Sequence, residues 1–298
     1  MDDVQNLGGQ GFSSSFEAIG THWQIDIPED RTSGAYDLLF QEIQRRIETF
    51  DRHYSRFRDD SLIAEMARRA GAYSLPDDAA PLLDLYEKLY CLTDGAFTPL
   101  IGSVMEEAGY GADYSLKPRT LHAPPRWDEA MEYCFPRLTM KRPTLLDFGA
   151  AGKGHLIDLA GQLLQKNGIQ AYTIDVGGDI LHRGGNHLRV GLEHPENPQQ
   201  VIGVHELKEG SICCSAGNRR AWGNFHHIID PRTLTSPRHI LSVWVSARAA
   251  MVADALATCL FLVSPEVLRH SFDFEYGIMY ADHSFAQSEG FEAEVFTQ

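Results

Sequence analysis

Apolar and polar residues alternate over residues 16–27, where Trp23, Ile25 and Ile27 share a face and Gly20-Thr21 interrupts the run. Period two predicts half-buried strand structure around that break. The period turns helical over residues 34–50, with Leu39, Ile43, Ile47 and Phe50 on one stripe. A shorter helix is expected to enter at Asp60 or Ser61 and close at Gly71, and another to run over residues 81–93 and end at Asp94-Gly95. Residues 96–102 lead into a short apolar helix. Residues 109–142, rich in Pro, Gly and charge, predict a long excursion or an irregular hairpin.

The most informative unit spans residues 145–179. Leu145 to Phe148 read as the end of a buried strand, and Gly149-Ala-Ala-Gly152-Lys153-Gly154 follows as a run with no bulky side chain. A helix is expected at once, with Leu156, Leu159, Ala160, Leu163 and Leu164 on one face and Asn167-Gly168 ending it. Residues 171–176 form a second strand, which meets the turn Gly177-Gly178-Asp179. A helix opening on a glycine loop favours an anion at its N-terminal amides. The spacing fits neither a P-loop nor the dinucleotide fingerprint. Further strands are expected over residues 187–192, 211–215, 225–229 and 240–246, and an apolar helix over 248–263. Strands in runs with interspersed helices favour an α+β sheet with helices packed on it.

Composition narrows the classes. Hydrophobic content of 43% and charged content of 22% over 298 residues are ordinary for a globular chain. Residues 1–14 read as a flexible tail, and 15–298 as a single domain, with two sublobes allowed. The formal charge of −15 argues against a nucleic-acid partner. No apolar run is long enough for a transmembrane segment, and the polar, acidic start lacks a basic-then-apolar leader. As written, the chain is expected in the cytoplasm, and in the periplasm or at a membrane if a leader has been removed. Five cysteines without metal spacing read as reduced, buried thiols.

Two segments could carry chemistry. Asp254 and Thr258 are one helical turn apart on the apolar stretch AMVADALATCLFL, so both oxygens face the same way. Either they bond neighbouring backbone, or they are oxygen ligands of a hard cation such as Mg²⁺. In HHIIDPRT, the residues His227, Asp230, Arg232 and Thr233 cluster at a predicted strand end, and His227 is a candidate proton acceptor. Ser215-Ala216-Gly217 lacks the leading glycine of a nucleophile elbow, which discounts a serine hydrolase.

Seven segments, in order over residues 16–285, resemble the FAD:protein FMN transferases, the ApbE-type flavin transferases: AIGTHWQI, SRFRDDSLIAEMAR, TDGAFTPLIG, LDFGAAGKGHLIDLA, VGGDI, HHIIDPRT and VADALAT. The resemblance implies an α+β, T-fold-like mixed or antiparallel sheet with packed helices, FAD in a groove, and Mg²⁺ at its diphosphate. It implies cleavage of FAD with release of AMP and transfer of FMN to a threonine hydroxyl of an acceptor protein. By position, Asp254 and Thr258 match the side-chain metal ligands, and Gly152 and Ala257 match carbonyl ligands. Ile19, Phe57, Ala96, Phe97, Thr98, Gly149, His155 and Ile228 fall where the family touches FAD, and His227 matches the proposed base. Thr98 stands where the family commonly has Asp, His155 where it has an aromatic, and Leu234 where it has Gly. A pyrophosphatase splitting FAD with water, and a non-catalytic flavin-binding module, are the alternative readings.

Overall fold

The structure, a computed structural model, describes residues 11–29, 34 and 36–296. The chain opens with a hairpin, β1 (Phe12–Ala18) and β2 (Thr21–Ile27), followed by α1 (Asp37–Tyr54), α2 (Leu62–Arg68), β3 (Gly71–Ser74) and α3 (Ala79–Leu92). A 3-10 turn over Pro99–Ile101 leads into α4 (Gly102–Glu107). Beyond it lie α5 (Trp127–Ala130), β4 (Met131–Cys134) and β5 (Arg137–Met140). The central unit is α6 (Gly152–Lys166), β6 (Tyr172–Val176) and β7 (Asp179–Arg183). It is followed by β8 (Leu188–His194), β9 (Asn197–Leu207) and β10 (Gly210–Ala216). A small ribbon, β11 (Ala221–Trp222) and β12 (Phe225–His226), precedes β13 (Ile240–Ala247), α7 (Ala250–Cys259) and α8 (Pro265–Arg269). The chain closes with β14 (Phe274–Tyr280), β15 (Phe285–Gln287) and β16 (Glu294–Val295).

Eight strands make the main sheet, in the order β1-β2-β6-β7-β10-β13-β14-β15 and antiparallel throughout. Successive side chains point to opposite faces, so each central strand feeds two cores. Leu181, Cys213, Val243, Val245 and Ile278 join the large core with the helices. Their neighbours Ile180, Ile212, Trp244 and Met279 pack with Leu192, Leu207 and Phe291 beneath the small sheet β16-β9-β8. A third cluster joins Val104, Met105, Ala108 and Tyr110 of the α4 region to Trp222 and Ile229 near the ribbon.

The expected fold class holds as an antiparallel α+β sheet with packed helices, and several boundaries change. Leu145 to Phe148 belong to no strand and pair in no sheet. Asp147 N–H donates to the Pro99 carbonyl at 2.7 Å, and Phe148 lies edge-on to the Tyr54 and Tyr86 rings, so helix packing buries this segment. The strand expected over 225–229 shrinks to Phe225–His226, because the chain turns out of the ribbon at His227. The apolar helix stops at Cys259, where Leu262 and Val263 both donate to the Cys259 carbonyl. Residues 1–10 of the expected tail lie outside the described residues, and Phe12 to Ser14 belong to β1.

Candidate active site

A cavity of about 980 Å³ opens where the glycine turn before α6, helix α7, the end of β10 and the ribbon meet. Helix α6 starts tightly, since the Phe148 carbonyl accepts the N–H groups of Ala151 (3.2 Å) and Gly152 (2.7 Å). Helix α7 starts on Asp158 of α6, whose carboxylate accepts N–H bonds from Ala250 and Met251, each at 2.9 Å. A carboxylate at that helix end satisfies orphan donors and suits the dipole. The two helices approach so closely at Gly154 that a Cβ there would lie 2.8 Å from Asp254 Cβ and overlap the Ala250 carbonyl.

This packing assembles a charged floor. Lys153 reaches between two buried carboxylates: it pairs with Asp179 Oδ2, and its ammonium is 3.5 Å from Asp254 Oδ1. Asp179 Oδ1 accepts the Cys214 N–H at 3.0 Å, and Asp254 Oδ2 accepts the Gly154 N–H at 2.9 Å. Burial pushes the Asp254 carboxyl up, against the downward pull of Lys153 and the Gly154 N–H. One turn along α7, Thr258 lines the same cavity, its hydroxyl 3.3 Å from that of Ser215.

A second carboxylate pairing shapes the wall. Asp147 accepts the Gly149 N–H at 2.6 Å and Arg56 Nε at 2.5 Å, which fixes the glycine turn. Arg56 also donates to the Tyr110 carbonyl at 2.8 Å and lies 4.1 Å from the Phe57 ring centroid. Phe57 stacks on Tyr114 with centroids 5.5 Å apart and planes at 9°. Opposite, His227 donates its backbone N–H to the Arg220 carbonyl at 3.1 Å. Burial first, then the Arg220 charge, pushes the His227 imidazole down to about 3. Its Nδ1 is buried with no hydrogen-bond partner among the described residues.

Most of the sequence candidates converge here. Ile19, Phe57, Ala96, Phe97, Thr98, Gly149 and Ile228 line the cavity, and so do Gly152, His227, Asp254 and Thr258. Ala96 and Phe97 are also core residues, with Phe97 stacked on Tyr86 at 4.9 Å. The Thr98 hydroxyl caps the 3-10 turn by accepting the Leu100 N–H. His155 is not a cavity residue: two positions beyond Lys153 on α6, its ring turns away, contacts Phe50 edge-on and bonds the Asp78 carbonyl at 2.9 Å. Burial lowers its proton affinity, consistent with a neutral core histidine. Ala257 is fully buried and does not line the cavity. The Phe261 N–H that would regularly bond the Ala257 carbonyl goes instead to Thr258. Asp230, Arg232 and Thr233 form a turn outside the cavity, where Arg232 clasps Asp230. Arg56, Asp147, Lys153, Asp179 and Arg220 were not singled out from the sequence. The signals for two of them were a lysine inside the glycine run and an acid directly after a double glycine.

The family model of the ApbE family matches residues 19–276. The chain belongs to the ApbE family. A Rhodobacter capsulatus FAD:protein FMN transferase is 28% identical over 279 residues, covering 85% of this chain and 52% of that protein. This chain therefore spans about half the length of that relative. The FAD:protein FMN transferase of Escherichia coli strain K12 is 24% identical over 277 residues, covering 84% of this chain and 78% of that one. Among solved ApbE structures, the Thermotoga maritima ApbE protein has a TM-score of 0.81 at 22% identity, covering 95% of this chain and 98% of its own. The Vibrio cholerae flavin transferase ApbE has 0.78 at 20%, covering 95% and 99%. These likenesses show that the ApbE fold is common to the three. Among the described residues no three His, Cys, Asp or Glu side chains converge as a metal cluster.

Proposed function

We propose that this chain is a Mg²⁺-dependent FAD:protein FMN transferase, which moves FMN from FAD to a threonine hydroxyl of an acceptor protein and releases AMP. The observation that carries the reading is the meeting of Asp254, Thr258 and the α6 glycine turn on the cavity that His227 also lines. One carboxylate, one hydroxyl and the carbonyls of Gly152 and Ala257 form an all-oxygen donor set, which suits Mg²⁺ better than a thiophilic metal. Among the described residues the Phe261 N–H bonds the Thr258 carbonyl and passes over that of Ala257, which leaves this oxygen to a cation. A divalent ion bound there supplies positive charge against the dinucleotide's diphosphate.

The remaining tasks fall to the chain's own groups. The α6 N-terminus favours an anion at the glycine turn, which gives a chain of overall charge −15 a local place for one. Phe57 and Tyr114 offer ring faces to the flavin or adenine. With its imidazole down at about 3, His227 is neutral at pH 7 and accepts the hydroxyl proton as oxygen bonds phosphorus. Substrate phosphates beside the ring raise its proton affinity at that moment.

The test is to incubate the protein with FAD, Mg²⁺ and an acceptor carrying an exposed threonine, and to read acceptor mass and AMP. A mass gain of one FMN is expected. FMN freed without any acceptor would replace the transferase with a pyrophosphatase, and flavin binding without turnover would leave only a binding module. Asp254→Ala is expected to lower Mg²⁺-dependent turnover by at least about 100-fold while the variant folds, since Lys153 keeps Asp179 as its partner. Unchanged turnover in that variant would remove the cation assignment.

A further inference from the structure

Among the described residues five arginine and lysine side chains line the cavity, and four are already engaged. Arg56 holds Asp147, Arg58 holds Asp60 and Asp51, and Lys153 lies between Asp179 and Asp254. Arg219 donates to the Gly177 carbonyl at 3.0 Å and to Glu193 at 2.8 Å. Each of these charges is offset by a carboxylate beside it. The Arg220 side chain alone has no hydrogen bond or ion pair among the described residues, and it lines the cavity.

Its backbone is nevertheless held firmly. The ribbon pairs Ala221 with His226 and Trp222 with Phe225, and the His227 N–H to Arg220 carbonyl bond extends the ladder by one step. Arg220 thus stands across the open end of the ribbon from His227, and both line the cavity. Trp222 anchors the ribbon by donating Nε1–H to the Ala108 carbonyl at 2.7 Å and stacking on Tyr110 at 5.4 Å. The guanidinium charge acts on both His227 and Asp254, which line the same cavity. A fixed backbone carrying an unspent planar fork of donors is the arrangement that bidentate phosphate recognition uses.

We propose that Arg220 is a further catalytic residue, which binds the phosphoryl group under transfer and neutralises the charge developing on its oxygens. The inference rests on the transferase reading above. In the step, the acceptor hydroxyl oxygen bonds the FMN phosphorus and its proton passes to His227. The bond from that phosphorus to the bridging oxygen breaks, and AMP leaves with the electron pair. Phosphorus keeps its oxidation state throughout, and the Arg220 N–H groups bond the equatorial oxygens most strongly as charge builds on them in the transition state.

The test compares wild type, Arg220→Met and Arg220→Lys for FAD affinity by calorimetry, single-turnover transfer rate and thermal midpoint. Arg220→Met is expected to lower the transfer rate by at least about 100-fold, while FAD affinity changes by less than about 10-fold, as for loss of a transition-state donor. Arg220→Lys is expected to recover part of the rate by restoring charge without the fork. The midpoint should hold in both variants, because the side chain has no structural partner to lose. A rate that survives in Arg220→Met, or a loss confined to FAD affinity, overturns the inference alone. Wild-type protein that turns over no FAD overturns the transferase reading and the inference with it.

Discussion

At the scale of single residues, backbone conformation and burial locate the cavity better than residue type does. Ile19 and Gly20 are the two central residues of the first hairpin turn, and both have positive φ, 48° and 72°. Glycine tolerates this freely, whereas a β-branched residue in the left-handed region costs on the order of 1–3 kcal/mol. Ile19 lines the cavity, so its side chain is retained there despite the strain. Ile19→Asn is accordingly expected to raise the thermal midpoint by about 2 °C or more, since Asn favours this turn, while weakening FAD binding. A fall in midpoint would show that the side chain serves packing. Leu234 shows the same physics, with φ of 57° where the family commonly has glycine, and its side chain packs at the edge of the third cluster. His227 makes a separate prediction about pH. Its folded value of about 3 lies below the ordinary 6.5, so the neutral ring stabilises the fold above pH 6.5, and that stability is lost as pH falls toward 3. The stability difference between wild type and His227→Gln, from urea titrations, should therefore shift against wild type from pH 7 to pH 4. A constant difference would contradict the buried, neutral histidine. The resemblance put His155 among the FAD contacts, and its helical phase, two positions beyond Lys153, is what turns it away, whereas the fate of Arg220 depended on a ribbon that no periodicity announces.

Among the elements, the α6–α7 contact positions the proposed cation ligands. Gly154→Ala would force its Cβ against Asp254 Cβ and the Ala250 carbonyl, so the helices must part. A loss of at least about 2 kcal/mol is expected, in line with overpacking, together with weakened Mg²⁺ binding measured by calorimetry. Unaltered Mg²⁺ binding would mean that the ligand pair does not depend on this approach. Helices α1, α2, α3 and α6 and the first hairpin were legible from their apolar patterns, with Ser61, Gly95 and Gly168 marking ends of α2, α3 and α6. Leu145 to Phe148 read as a strand because helix packing and sheet pairing bury the same kind of apolar run. Strand β9, NPQQVIGVHEL, escaped notice because its first half is polar and carries a proline, as a strand of a small outer sheet can. Strand β7 went unread because the double glycine before it reads as a turn.

Over the whole molecule, the main sheet divides the labour. Its helix-covered face and glycine-bearing strand ends frame the cavity, while the opposite face closes on the small sheet around Phe291. The sequence revealed the first face through α6 and α7, and it concealed the second because the partners of Trp244 and Met279 are distant in the chain. The ribbon that presents His227 and Arg220 belongs to neither face. It is a two-stranded piece outside the main sheet, tied down through Trp222 and a cluster of six buried residues. Such a tether lets go before a sheet of eight strands does. On gradual heating, turnover should vanish several degrees before the circular dichroism of the sheet collapses, and coincident midpoints would refute this. The chemistry would then have its own melting point, set by one indole ring.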